Sequence, residues 1–145
     1  MYPSIKNDDT VLVYKLDSFI NTLLDVDIKN RNVYTLENPT GKGSYFIKRN
    51  YGDSNDNLQT ISTQYLNFLS KISAQHPRIR AFKKDDFEAK ILSSFPVNSI
   101  SESKHSDTQK EYFFLSDWPF GTDDSRNYGY FSNDNVKGLV LFIFD

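Results

Sequence analysis

The sequence predicts an α+β domain, with a single-layer antiparallel or mixed sheet of about five strands and two to three helices packed on one face. Three observations carry this expectation. Leu58, Ile61, Tyr65, Leu69 and Ile72 form an apolar stripe at helical spacing. Short β-rich runs lie on either side of that helix, each bounded by turn-forming residues. The order along the chain reads helix, hairpin, helix, helix and then three strands.

Taken in order, Leu12, Leu16, Phe19, Ile20, Leu23 and Val26 recur at steps of three and four, which predicts a helix from about 10 to 25 with Asp9 or Thr10 as cap. The β-branched Val11 and Val13 keep a strand-then-helix alternative open, with Asp17 or Ser18 as cap. Asn32 to Leu36 and Ser44 to Lys48 flank Asn38-Pro39-Thr40-Gly41-Lys42-Gly43, whose Pro and glycines adopt turn dihedrals that other residues resist, so the pair reads as a hairpin. Asp56 or Asn57 caps the helix that begins at Leu58, and Pro77 ends it. A further helix starts at Asp85, turns Phe87, Ile91, Leu92 and Phe95 inward, and stops before Pro96. The Ser-rich stretch from Asn98 to Gln109 reads as a surface loop. Lys110 to Leu115 returns to strand character. Tyr128 to Phe131 and Val136 to Phe144 then flank Asn133-Asp134-Asn135 as a second hairpin, and the last run, lacking alternation, reads as a central strand covered on both faces that would invite aggregation if left on an edge.

At 145 residues and 38% hydrophobic, the chain has the length and apolar content of one domain spanning 1–145. Aromatic residues make up 15%, too much bulky apolar surface for a disordered chain. Lys and Arg number 17 against 19 Asp and Glu, so no global positive field favours nucleic acid. The absence of cysteine excludes thiolate chemistry and Cys-based metal sites and fits a reducing compartment or a bacterial chain without oxidative folding, which leaves the periplasm open. The N-terminal residues carry Asp8 and Asp9 where an export signal needs a basic start, and the longest apolar run, Leu139 to Phe144, falls far short of the roughly 20 residues of a spanning helix. A cytoplasmic location without membrane insertion is therefore expected.

Candidate chemistry is sparse. His76 and His105 are the only histidines, and neither sits in a ligand motif. Phe87 to Leu92 contain a Glu88-x-Lys90 core resembling restriction-endonuclease-like nucleases, in which acids hold a metal and a lysine orients water, but the nearest upstream acids, Asp85 and Asp86, stand too close to span such a site, and the same residues fit an amphipathic helix better. Asp53-Ser54-Asn55-Asp56-Asn57 resembles the opening of a calcium loop, but Leu58 and Gln64 stand where glycine and the bidentate acid belong. Gly41-Lys42-Gly43-Ser44 lacks the first glycine of a phosphate-binding loop. Arg78, Arg80, Lys83 and Lys84 form a basic run that would suit a phosphate or, more simply, a solvated linker.

The most unusual segment runs from Asp117 to Phe131 and joins the only Trp to Phe120, Tyr128, Tyr130 and several acids. Trp and Tyr bury large area at low entropic cost while keeping a polar handle, which suits protein-contact hot spots, and surrounding acids select a basic partner. The plain alternative has Trp118 and Phe120 plugging the core beneath a loop. Trp118-Pro119-Phe120-Gly121, the acidic turn, Tyr128-Gly129-Tyr130-Phe131 and the hydrophobic strand that follows resemble the C-terminal part of the SUKH superfamily, whose members are often bacterial toxin-immunity proteins. The early Leu-Pro and glycine-rich features of that family are absent from this chain.

The resulting expectation is a non-catalytic protein-binding module without cofactor or metal, such as an intracellular inhibitor that neutralises a basic toxin domain. Asp117, Asp123, Asp124 and Asp134 would meet Lys and Arg on the partner, with Trp118, Tyr128 and Tyr130 as anchors. The competing expectation is a metal-dependent nuclease or other phosphoryl-transfer enzyme built on Asp86, Glu88 and Lys90.

Overall fold

Thr10–Lys15 is a strand, β1, in a computed structural model that describes residues 4–5, 8–16, 28–41, 43–73, 84–96, 110–120 and 123–144. The expected helix from about 10 to 25 is thus corrected over its first part, and its remainder lies outside the described residues. Val11 and Val13 are stiff at χ1 and alternate with Leu12 and Tyr14, so period two prevails over the three-and-four spacing that began at Leu12.

β2 (Val33–Glu37) and β3 (Tyr45–Asp53) form the expected antiparallel hairpin, with Gly41 and Gly43 at φ of 68° and 65° in the left-handed region that its turn requires. Helix α1 (Leu58–Ser73) starts where the Asn57 side chain accepts the Gln59 N–H at 2.8 Å. Its expected stop at Pro77, the basic run from Arg78, both histidines and the Ser-rich loop lie outside the described residues, apart from the start of helix α2 (Lys84–Ser93). On α2, Phe87, Ile91 and then Phe95 just beyond its end are buried at intervals of four, whereas Leu92 is 45% exposed rather than inward. One residue along a helix turns about 100°, which carries Leu92 off the buried stripe.

β4 (Glu111–Leu115), the short helix α3 (Ser125–Tyr128), β5 (Phe131–Ser132), a 3-10 turn over Asn133–Asn135 and β6 (Val136–Phe144) complete the described chain. The six strands run in the order β1-β6-β2-β3-β4-β5, each antiparallel to its neighbours. The α+β architecture is therefore present with one strand more than expected, because β1 joins the sheet. The second hairpin is not: β5 pairs with β4 at one edge, while β6 crosses to lie between β1 and β2. The Asn-Asp-Asn turn chemistry marks a change of direction, but tertiary packing chooses the strand that follows.

β4 separates two cores. Phe113 and Leu115 face α1 and α2 in a cluster with Tyr51, Ile61, Tyr65 and Leu69. Tyr112 and Phe114 face the other way, onto Leu16, Ile28, Tyr34, Leu36, Phe131 and Val136. Tyr34 and Phe114 lie on strands that are not neighbours, yet their rings meet edge to face at 5.8 Å, so this second core closes over β3. Gly138 permits the tight crossing of β6 between its neighbours, since a Cβ there would lie 2.3 Å from Val13 Cγ1.

Candidate functional site

The segment singled out by its Trp and acids begins where β4 ends, and its side chains complete the edge of that strand. β5 covers only Glu111 and Tyr112. Beyond it, Ser125 Oγ accepts the Phe114 N–H at 2.8 Å and Asp124 Oδ2 accepts the Ser116 N–H at 3.1 Å, side chains standing in for a strand partner. Asp124 also caps α3 through the Arg126 N–H at 3.1 Å and clamps the Arg126 guanidinium at 2.9 and 2.8 Å. Arg126 Nη1 then donates to the Pro119 carbonyl at 2.8 Å and fixes the loop that carries Trp118 and Phe120.

Ser116 is the hub beside this pair. Tyr65 Oη donates to its carbonyl and Lys48 Nζ to its hydroxyl, both at 2.7 Å. Asp117, the next residue, receives Arg49 through two bonds of 2.9 and 2.8 Å. Burial opposes the charge on Arg49 and Arg126, but the hydrogen bonds and charges of Asp117 and Asp124 win and raise both. For Lys48 burial prevails over the nearby acids and lowers its value. Tyr51 and Tyr65 are held protonated chiefly by burial.

The expected partner-facing acids therefore divide. Asp117 and Asp124 are fully buried and ion-paired within the chain, which corrects the expectation that they face outward. Forked guanidinium–carboxylate geometry satisfies both groups where water is excluded. Asp123 and Asp134 are exposed. Trp118 is half-buried with Phe120 against its edge at 6.0 Å, and Tyr130 is half-buried with its ring across Phe113 at 5.2 Å, so both are core pieces in large part. Burial, then Asp56, Asp53 and Glu111, raise the Tyr130 hydroxyl. Tyr128, 37% exposed, lies 6.0 Å from the Phe46 ring and keeps an outward face.

A cleft of about 580 Å³ opens beside this loop, lined in part by Lys90, Ser94, Phe120, Asp123 and Arg126. Lys90 Nζ sits 4.9 Å from the Phe120 ring centre, and the Ser93 and Ser94 hydroxyls donate to carbonyls of their own helix. Asp86, Glu88 and Lys90 all lie on α2, and among the described residues no group of three His, Asp or Glu side chains is placed to hold a metal. The calcium-like stretch is a turn: Asp56 Oδ2 accepts the Asp53 N–H, Asp53 Oδ1 accepts the Asn55 N–H and Asn57 caps α1.

The surface that sequence reasoning missed is at the opposite end of the sheet. β2 pairs with β6 only from Val136 to Leu139, so among the described residues Val140 and Phe142 to Phe144 pair with β1 alone, with Leu141 skipped at the register shift. Leu12 lies opposite Phe142 and Thr10 opposite Phe144, placing Leu12, Tyr14, Phe142 and Phe144 on one face, 48–61% exposed. Ile143, opposite Val11, is exposed on the other face. Two sequence signals pointed here: the alternation in β1 and the long apolar run of β6.

No family model matches the sequence, and no curated protein or solved structure is found to be similar to it. The local likeness to the SUKH superfamily thus has no family match behind it. No helix among the described residues is long and apolar enough to cross a membrane.

Proposed function

We propose that this chain is a protein-binding module that docks its partner on the β1–β6 ribbon and acts by contact rather than catalysis. One observation carries the reading: large apolar side chains stand exposed on both faces of a ribbon whose outer strand, among the described residues, is paired on one side only. Contiguous apolar exposure of this kind marks interaction surfaces, and an unpaired strand edge adds backbone donors and acceptors to it. The narrower reading, an inhibitor that meets a basic toxin domain, is supported by Asp123, Asp134 and Tyr128, which remain at the surface. The test is cross-linking in native lysate with the wild type and the double variant Leu12→Ser/Phe142→Ser. A protein captured at stoichiometric level by the wild type and lost from the variant is expected, with the circular dichroism spectrum retained. Equal capture by both would refute docking at the ribbon.

A further inference from the structure

We propose that the occupant of the ribbon is a second copy of this chain, paired edge to edge through antiparallel β1 strands about a two-fold axis at Leu12. This rests on the docking reading above and commits it to one partner.

The register follows from the backbone. Leu16 donates its N–H to the Lys137 carbonyl at 2.9 Å, so the Leu16 amide points towards β6. Amide direction alternates along a strand, which turns the N–H and C=O groups of Val11, Val13 and Lys15 to the outer edge. Asp8, at φ 73°, ends this extended run on its N-terminal side.

A two-fold pairing of β1 with itself must place outward residues opposite outward residues. Among the short-range choices, a dyad at Val11 sets Asp9 against Val13 of the second copy, and a dyad at Val13 sets Lys15 against Val11. A dyad at Leu12 sets Asp9 opposite Lys15 twice, Val11 opposite Val13 twice, and Leu12 against its own equivalent. Only this register matches the strand's charge at one end with the opposite charge at the other and leaves apolar residues across the middle. It also places Tyr14 opposite Thr10, extending the exposed face of Leu12 and Phe142 into a surface shared by both copies. Sheet continuation across the axis satisfies the outer β1 backbone groups, which no described strand pairs, and covers the apolar side chains, the two liabilities of that edge.

Sedimentation velocity of the full chain across the micromolar range tests this. The wild type is expected to dimerise. Val11→Pro removes an outward N–H that β6 does not use, and is expected to give a monomer with an unchanged circular dichroism spectrum. Lys15→Asp, at an exposed position, is expected to raise the dimer Kd about tenfold by facing Asp9 with a like charge, and the swap Asp9→Lys/Lys15→Asp to restore it. A wild type monomeric throughout, a dimer indifferent to Val11→Pro, or a swap that restores nothing would overturn the proposal. A monomeric wild type that still captures a protein lost with Leu12→Ser/Phe142→Ser refutes self-pairing and keeps the module reading, whereas a monomer that captures nothing refutes both.

Discussion

At the β4 end of the sheet, Asp117 and Asp124 meet Arg49 and Arg126 at 2.8 Å and are sealed from solvent; at the β1 end, Leu12, Tyr14, Phe142 and Phe144 stand about half or more exposed. The polar residues went inside and a set of large apolar ones stayed out. What the contrast teaches is that residue type alone does not sort surface from core. A carboxylate with a forked guanidinium and backbone N–H donors is satisfied in the interior, while a strand that outruns its neighbour has, among the described residues, less to bury its side chains against. The β4 end is accordingly a support that holds a loop, and the β1 end is where the proposed partner would dock.

Substitutions test that division. The largest effect is expected from Asp124→Ala, which strips four donors of their acceptor and leaves Arg126, 6% exposed, without its counter-charge. A loss of about 3–5 kcal/mol is expected from urea unfolding, and a loss below about 1 kcal/mol would break the picture of a supporting network. The next largest sets two buried tyrosines apart. Tyr65→Phe removes the 2.7 Å bond to the Ser116 carbonyl and is expected to cost about 1–2 kcal/mol. Among the described residues the buried Tyr51 hydroxyl makes no hydrogen bond of ordinary geometry, so Tyr51→Phe is expected to be neutral or stabilising.

Alkali provides a further check on the same core. Tyr51, Tyr65 and Tyr130 all titrate above the ordinary 10.0 when folded. Folded-state values above the unfolded ones mean that the folded chain keeps protons the unfolded chain releases, so this contribution is complete below pH 10 and declines as the pH rises beyond it. The urea midpoint is expected to fall above pH 10, and less steeply in Tyr51→Phe than in the wild type; identical slopes would place the tyrosine linkage elsewhere.

At the ribbon, Phe142→Ser is expected to cost less than about 1 kcal/mol in the isolated chain, because a side chain 61% exposed buries little area. A cost of 3 kcal/mol or more, near the roughly 3–5 kcal/mol of a buried Phe truncation, would show that the ribbon is a core after all. The smallest effect belongs to the exposed Asp123, where Asp123→Ala is expected to stay within about 0.5 kcal/mol, in contrast to its buried neighbour Asp124.

Much of the fold was legible in the residues. The stripe from Leu58 to Ile72, a cap at Asp56 or Asn57 and the β2–β3 hairpin all follow from interactions within a few positions, where spacing and turn chemistry decide. β1 was harder to read, because the strand signal of Val11 and Val13 overlapped helical spacing that drew on residues further along. The candidate site was legible only as a cluster of unusual residues. Nothing near Asp117 in the chain announces Arg49, and nothing in the Asn133-Asp134-Asn135 turn announces that β6 crosses to the far side of β2.

The amino-acid sequence by itself determined the α+β class, one helix with its cap, one hairpin and the aromatic content of the cores, since each depends on local dihedral preference and side-chain periodicity. Only the tertiary structure decided which acids are buried and where the long apolar strand lies. Those outcomes rest on contacts between residues far apart in the chain, such as Arg49 with Asp117 and Gly138 with Val13. The free energy of a carboxylate or a phenyl ring is set by what surrounds it in space, and no local pattern encodes those surroundings.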